Sequence, residues 1–218
     1  ARAAGVRLVV GCRLVLEDKA EVLVYPRDRA AYARLCRLLT VGKRRAGKGG
    51  CRIGWEDLDL YGEGLVAVLV PDLADDECGF RLRRLRDAFG DRAYVALTLH
   101  RRPNDQLRLH EVSNLAAQMR VPTVVTNDIL FHEPGRRVLQ DVVTCIRHNV
   151  TIDALGDRRE RHADRYIKPP DEMHRLFSRY PEALARSIQI ADRCRFSLDA
   201  LASHSPEERD APALSPQE

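Results

Sequence analysis

The chain has 218 residues, 44% of them apolar and 31% charged, which is the composition of an ordinary globular protein long enough to bury a core without disulfide staples. A formal net charge of +4 demands no polyanion-coating role and leaves room for a local basic patch. No apolar run reaches the length of a membrane span and no secretory leader pattern opens the sequence, so the reading is a reducing, cytoplasmic setting with no membrane partner.

In chain order, ARAAG (1–5) reads as the last turn of a helix closed by Gly5. VRLVVGCRLVL (6–16) predicts a strand, EDKA a turn, and EVLVY (21–25) a second short strand. From Asp28, a good N-cap, Tyr32, Leu35, Cys36 and Leu39 recur at helical spacing, and this helix is expected to end near Val41–Gly42. A basic glycine-rich loop to Arg52 and a short IGWEDLDLYGEG segment lead to a strand, LVAVLV (65–70). A helix through Phe80, Leu82, Leu85 and Phe89 stops at Gly90. Next come a strand at 93–99, a helix over 104–119, and a last strand at 121–126. Beyond these the pattern is helical, through GRRVLQDVVTCIRH, PPDEMHRLFSRY and PEALARSIQIADRCRF. Strand and helix alternate from 6 to 126, which predicts an α/β fold with parallel strands, either an open sheet or part of a barrel. The tail SPEERDAPALSPQE is rich in proline and charge and reads as a linker.

GKRRAGKGG (42–50) comes within one residue of a phosphate-binding loop, but Gly49 stands where a magnesium-holding hydroxyl belongs. A working phosphate loop leaves a strand and enters a helix. Gly42 follows a helix, so the motif is a decoy. What remains is a basic segment, Lys43, Arg44, Arg45, Lys48 and Arg52, which is either a solvated loop or a contact for a nucleic-acid backbone.

In parallel α/β folds, chemistry gathers just past the carboxyl ends of strands. Those positions offer Arg13 in the first strand region, Asp72, His100, and Thr126-Asn127-Asp128. His100 and Asp128 alone have plausible metal-ligand chemistry, and two ligands fall short of a catalytic metal site. The remaining histidines, 110, 132, 148, 162, 174 and 204, lack paired spacing and read as structural or exposed. The six cysteines (12, 36, 51, 78, 145, 194) form no C-x-x-C pair and read as buried reduced thiols, with Cys145 a core residue rather than a nucleophile.

Taken together, GVRLVVGCRLVLED, YARLCRLLT with its basic loop, VPTVVTNDILFHEPGRRVLQDVVTCIRHN, ERHADRYIKPPDEMHRLF and YPEALARSIQIADRCRFSLDAL resemble the N-terminal region of bacterial C-family replicative DNA polymerases of the α-subunit type. The match is nearest to the error-prone branch used in damage-induced translesion synthesis and DNA repair, and it covers Gly5 to about Leu201. The resemblance implies that 1–133 are the later portion of a PHP (polymerase and histidinol phosphatase) domain, a distorted β/α barrel whose first strands lie outside the chain. By the same resemblance, 134–202 form a helical region leading toward palm and thumb, and 203–218 a linker. It also implies a degraded metal site. Gly11-Cys12-Arg13 replaces the family's Gly-x-Glu, His100 and Asp128 occupy ligand positions, and Leu130 replaces a ligand histidine.

A guanidinium stays charged and has no lone pair, so Arg13 would repel a cation and could instead pair with Asp128. The expectation is a non-catalytic module without metal or cofactor. The parent enzyme is expected to transfer nucleotides on DNA with magnesium at palm aspartates outside this segment. The alternatives are a metal-dependent PHP phosphoesterase, or a module docking other mutagenesis proteins through its helices.

Overall fold

The computed structural model describes residues 2–201; the predicted linker at 203–218 and His204 lie outside the described residues. Five strands, β1 (Cys12–Val15), β2 (Glu21–Pro26), β3 (Leu65–Val70), β4 (Ala93–Leu97) and β5 (Thr123–Val125), form one sheet in the order β1-β2-β3-β4-β5. The α/β class is as expected, but the sheet is mixed rather than parallel. β2 runs antiparallel to both neighbours, and only the β3–β4 and β4–β5 pairings are parallel. For the β1–β2 pair the cause is the link at 16–20, which is long enough for a hairpin and far too short for a crossover. The first strand is also shorter than predicted. Residues 6–11 have no regular structure, and Val6 and Leu8 are exposed.

Among the described residues seven α-helices accompany the sheet: α1 (Arg29–Arg45), α2 (Trp55–Tyr61), α3 (Asp76–Phe89), α4 (Asp105–Met119), α5 (Arg137–His148), α6 (Pro170–Leu176) and α7 (Pro181–Arg193). Asp28 caps α1 by accepting from the Ala31 N–H at 2.8 Å, and Asp75 caps α3 through the Cys78 N–H at 2.8 Å. Ala31, Leu35, Leu38 and Gly42 form the buried stripe of α1. The helix therefore runs one turn beyond the predicted stop at Val41–Gly42. Gly42 is a packing position, since a Cβ there would meet Ile53 Cγ1 at 2.6 Å and Cys51 Sγ at 2.7 Å.

Side-chain alternation in the central strands divides the core. Leu65, Ala67, Leu69, Ala93, Val95, Leu97 and Val125 join the main cluster with residues of α1–α4. Val66, Val68, Tyr94, Ala96 and Val124 face the other way, against Ile190 and Cys194 at the end of α7. Arg186 of α7 donates to the Thr123 carbonyl at 2.9 Å, and Arg193 to the Tyr94 hydroxyl at 2.8 Å. The sheet is thus covered on both faces. Its second cover is α7, which lies within the segment 134–202. The carboxyl ends of β3, β4 and β5 are left open to one side.

Candidate functional site

Three loops leave the parallel strand ends together: Pro71-Asp72 after β3, Thr98–His100 after β4 and Thr126–Asp128 after β5. With β1 and residues 157–165 they line a cleft of about 1150 Å³. The loop after β4 is fixed by the buried Asp105 at the start of α4, whose carboxylate accepts from the His100 N–H at 2.7 Å and the Arg102 N–H at 3.1 Å. Arg108, one turn on, is buried and donates to the Thr98 and Pro71 carbonyls, so it ties the first two loops together.

Asp128 is the focus of the cleft. Its backbone is left-handed (φ 42°) and its side chain is only 11% exposed. One carboxylate oxygen accepts from Arg13 of β1, as the sequence suggested. The other accepts from Arg165 at 2.5 Å. Arg165 also donates from Nε to the Asp128 carbonyl at 2.9 Å and from its remaining nitrogen to Glu160 at 2.7 Å. Arg13 in turn reaches Glu21 at 3.2 Å. The His100 imidazole lies nearby, with Nε2 at 3.9 Å from Asp128 Oδ2. Burial pushes the His100 pKa down. The Asp128 charge works against that, and Arg165, Arg102 and Arg108 reinforce it.

Arg165 belongs to a strap (156–168) that folds back across the strand ends. The Leu130 N–H donates to the Arg165 carbonyl at 2.9 Å, and Phe131 pairs with Tyr166 as an isolated bridge. Asn127 donates to the Tyr166 carbonyl and accepts from Lys168 at 2.9 Å; the Lys168 ammonium also sits 4.7 Å from the centroid of the Tyr166 ring. Arg101 pairs with Asp164 at 2.8 Å and Arg102 with Asp72. Sequence reading found Arg13, His100 and Asp128 but missed Arg165 and Asp164. The only signal for them was the arginine density of GDRRERHADRY. Among the described residues, no three His, Cys, Asp or Glu side chains come together as a metal-binding group.

The basic segment divides in two. Lys43, Arg44 and Arg45 are not in a loop, because they form the last turn of α1. Arg45 is held by Asp57 at 2.6 and 2.8 Å, and Arg52 by Glu17 at 2.9 Å. Lys43, Arg44 and Lys48 are exposed, with no ion pair among the described residues. The cysteines also depart from expectation. Cys78, Cys145 and Cys194 are buried, Cys12 is half-buried, and Cys36 and Cys51 are exposed because they lie off the apolar faces. No described helix is long and apolar enough to cross a membrane.

The geometry defines an α/β chain whose strand-end cleft is filled by an arginine–carboxylate network. No family model matches the chain. It is 69% identical over 98% of its length to Error-prone DNA polymerase 1 of Agrobacterium fabrum, covering 20% of that protein. The Error-prone DNA polymerase of Allorhizobium ampelinum is 62% identical over the whole chain, which covers 20% of it. That of Bradyrhizobium sp. is 43% identical over 97% of the chain, which covers 19% of it. Over nearly its whole length the chain is a homologue of error-prone DNA polymerases, corresponding to one segment of such a protein and spanning about a fifth of the length of the curated relatives it matches.

Proposed function

We propose that the chain is a non-catalytic, PHP-type segment of an error-prone DNA polymerase acting in damage-induced translesion synthesis and repair. In this reading the segment supports the enzyme while nucleotide transfer takes place elsewhere in the polypeptide. The observation that carries it is the occupation of both Asp128 carboxylate oxygens by guanidinium groups.

The donor set does not fit a divalent cation. Two permanently charged side chains stand on the one central carboxylate, and a cation entering between them would be repelled by both. The Leu130 side chain has no donor to offer. The ion pairs satisfy the cleft internally, so the strand ends are tied together by salt bridges. No phosphoester hydrolysis is assigned to the segment.

The decisive experiment replaces the corresponding fifth of the Agrobacterium fabrum polymerase with this chain. The chimera should extend a primer on template DNA, while the 218 residues alone should not. Hydrolysis of p-nitrophenyl phosphate by the isolated chain with added manganese, abolished by Asp128→Ala, would reverse the assignment in favour of a PHP phosphoesterase.

A further inference from the structure

Helix α5 is mounted with its polar side inward. Asp141 and Cys145 are its buried residues, and Arg137 and Arg159 both reach Asp141 Oδ2, at 3.5 and 3.2 Å. The apolar side chains point the other way. Val138, Leu139, Val142, Val143 and Ile146 are all between 43 and 74% exposed. At about 100° per residue these five fall within an arc of about 140°, a continuous stripe over about two turns. An amphipathic helix ordinarily buries that stripe, and a contiguous exposed apolar patch marks a contact surface. The only acidic residue of α5 is the buried Asp141, and Arg147 is exposed at the end of the helix, so the flank of the stripe beside Val143 carries a cation and no acid.

We propose that this stripe is the docking surface for the remainder of the polymerase polypeptide, through an aliphatic groove rimmed by acidic side chains. The relatives that match 97% or more of this chain are about five times its length, so four-fifths of the parent protein lies outside these residues. A segment of a larger enzyme must present at least one apolar face to the rest, and no other described helix turns five aliphatic side chains outward on a single stripe. This proposal rests on the polymerase reading and locates the contact through which the segment would support the enzyme.

The test introduces Ile146→Cys into the chain and into the Agrobacterium chimera, then measures maleimide labelling at position 146 by peptide mass spectrometry, native against urea-unfolded. The expected result is less than about threefold protection in the isolated chain and at least tenfold protection in the chimera. Val142→Asp in the same chimera should restore rapid labelling. Equal labelling in chain and chimera would overturn the proposal. So would protection in the isolated chain that grows with its concentration, because the stripe would then join two copies. Primer extension by the chimera is read separately: an active chimera with an open position 146 refutes the docking surface alone, and an inactive chimera with a protected one refutes the polymerase reading alone.

Discussion

At the residue scale, the two arginines on Asp128 are not equivalent. Arg13 is 40% exposed and its pairing is screened, whereas Arg165 is 18% exposed and holds three separate acceptors. Arg13→Ala should therefore cost under about 1 kcal/mol. Arg165→Ala should cost about 2 kcal/mol by urea unfolding, because it strands a mostly buried carboxylate and a carbonyl. His100 provides a local reporter. Its lowered pKa means that below about pH 6.5 the unfolded chain binds more protons at this site than the folded one. Stability should accordingly be fully present above the unfolded value and fall as pH drops from there toward the folded one. Arg165→Gln removes a cation that disfavours His100 protonation, and an NMR titration should show the imidazole midpoint move up. The thiols give a third check: burial pushes Cys78 up to about 11, so iodoacetamide at pH 8 should modify Cys36 and Cys51 well before Cys78 or Cys194. Arg13 was legible in the sequence because a permanent cation in the first strand region invites a carboxylate partner at the strand ends, and Asp128 is one. Arg165 was not, because it lies in an irregular, arginine-rich stretch after the last strand, where nothing local singles out one arginine as the partner of Asp128.

At the element scale, strand and helix positions followed from local signals wherever apolar spacing and capping agreed. Asp28 and Gly90 marked real helix ends, while the Asp75 cap of α3 was seen only in the structure. The misread end was that of α1, where glycine in a basic context suggested a stop. Gly42 is instead a gap through which Ile53 and Cys51 approach the helix. In a helix interior, glycine to alanine usually stabilises by about 1 kcal/mol. Here the added methyl meets the buried Ile53, and Gly42→Ala should destabilise by about 1–3 kcal/mol in thermal or urea unfolding. A stabilised variant would mean that the 51–53 segment yields freely.

At the scale of the whole molecule, the direction of β2 and the second sheet cover by α7 were not written in periodicity. A short link forces β1 and β2 antiparallel, but the long link through α1 and α2 leaves the direction of β3 open, and which face a helix covers is set by contacts remote in sequence. Charge placement follows the same logic. Only Lys43, Arg44 and Lys48 of the basic segment are uncommitted to ion pairs among the described residues, so any DNA-backbone contact should depend on them. Reversing all three in the chimera should weaken duplex binding and flatten its salt dependence by roughly 0.7–0.9 per lost phosphate contact. Unchanged affinity would leave the turn as solvated surface. Arg45→Glu should act through stability instead, since it breaks the pair with the buried Asp57.

The position of Arg165 in the chain has a consequence for the order in which the protein is made. A ribosome emits Asp128 and His100 first, and Arg165 follows only after 37 more residues, roughly two to seven seconds at ~5–20 residues per second. During that interval Arg13 is the single guanidinium partner available to the nascent carboxylate. The cleft therefore gains its Arg165 contacts only after Arg13, His100 and Asp128 have emerged, and until then one oxygen of the aspartate lacks its guanidinium partner.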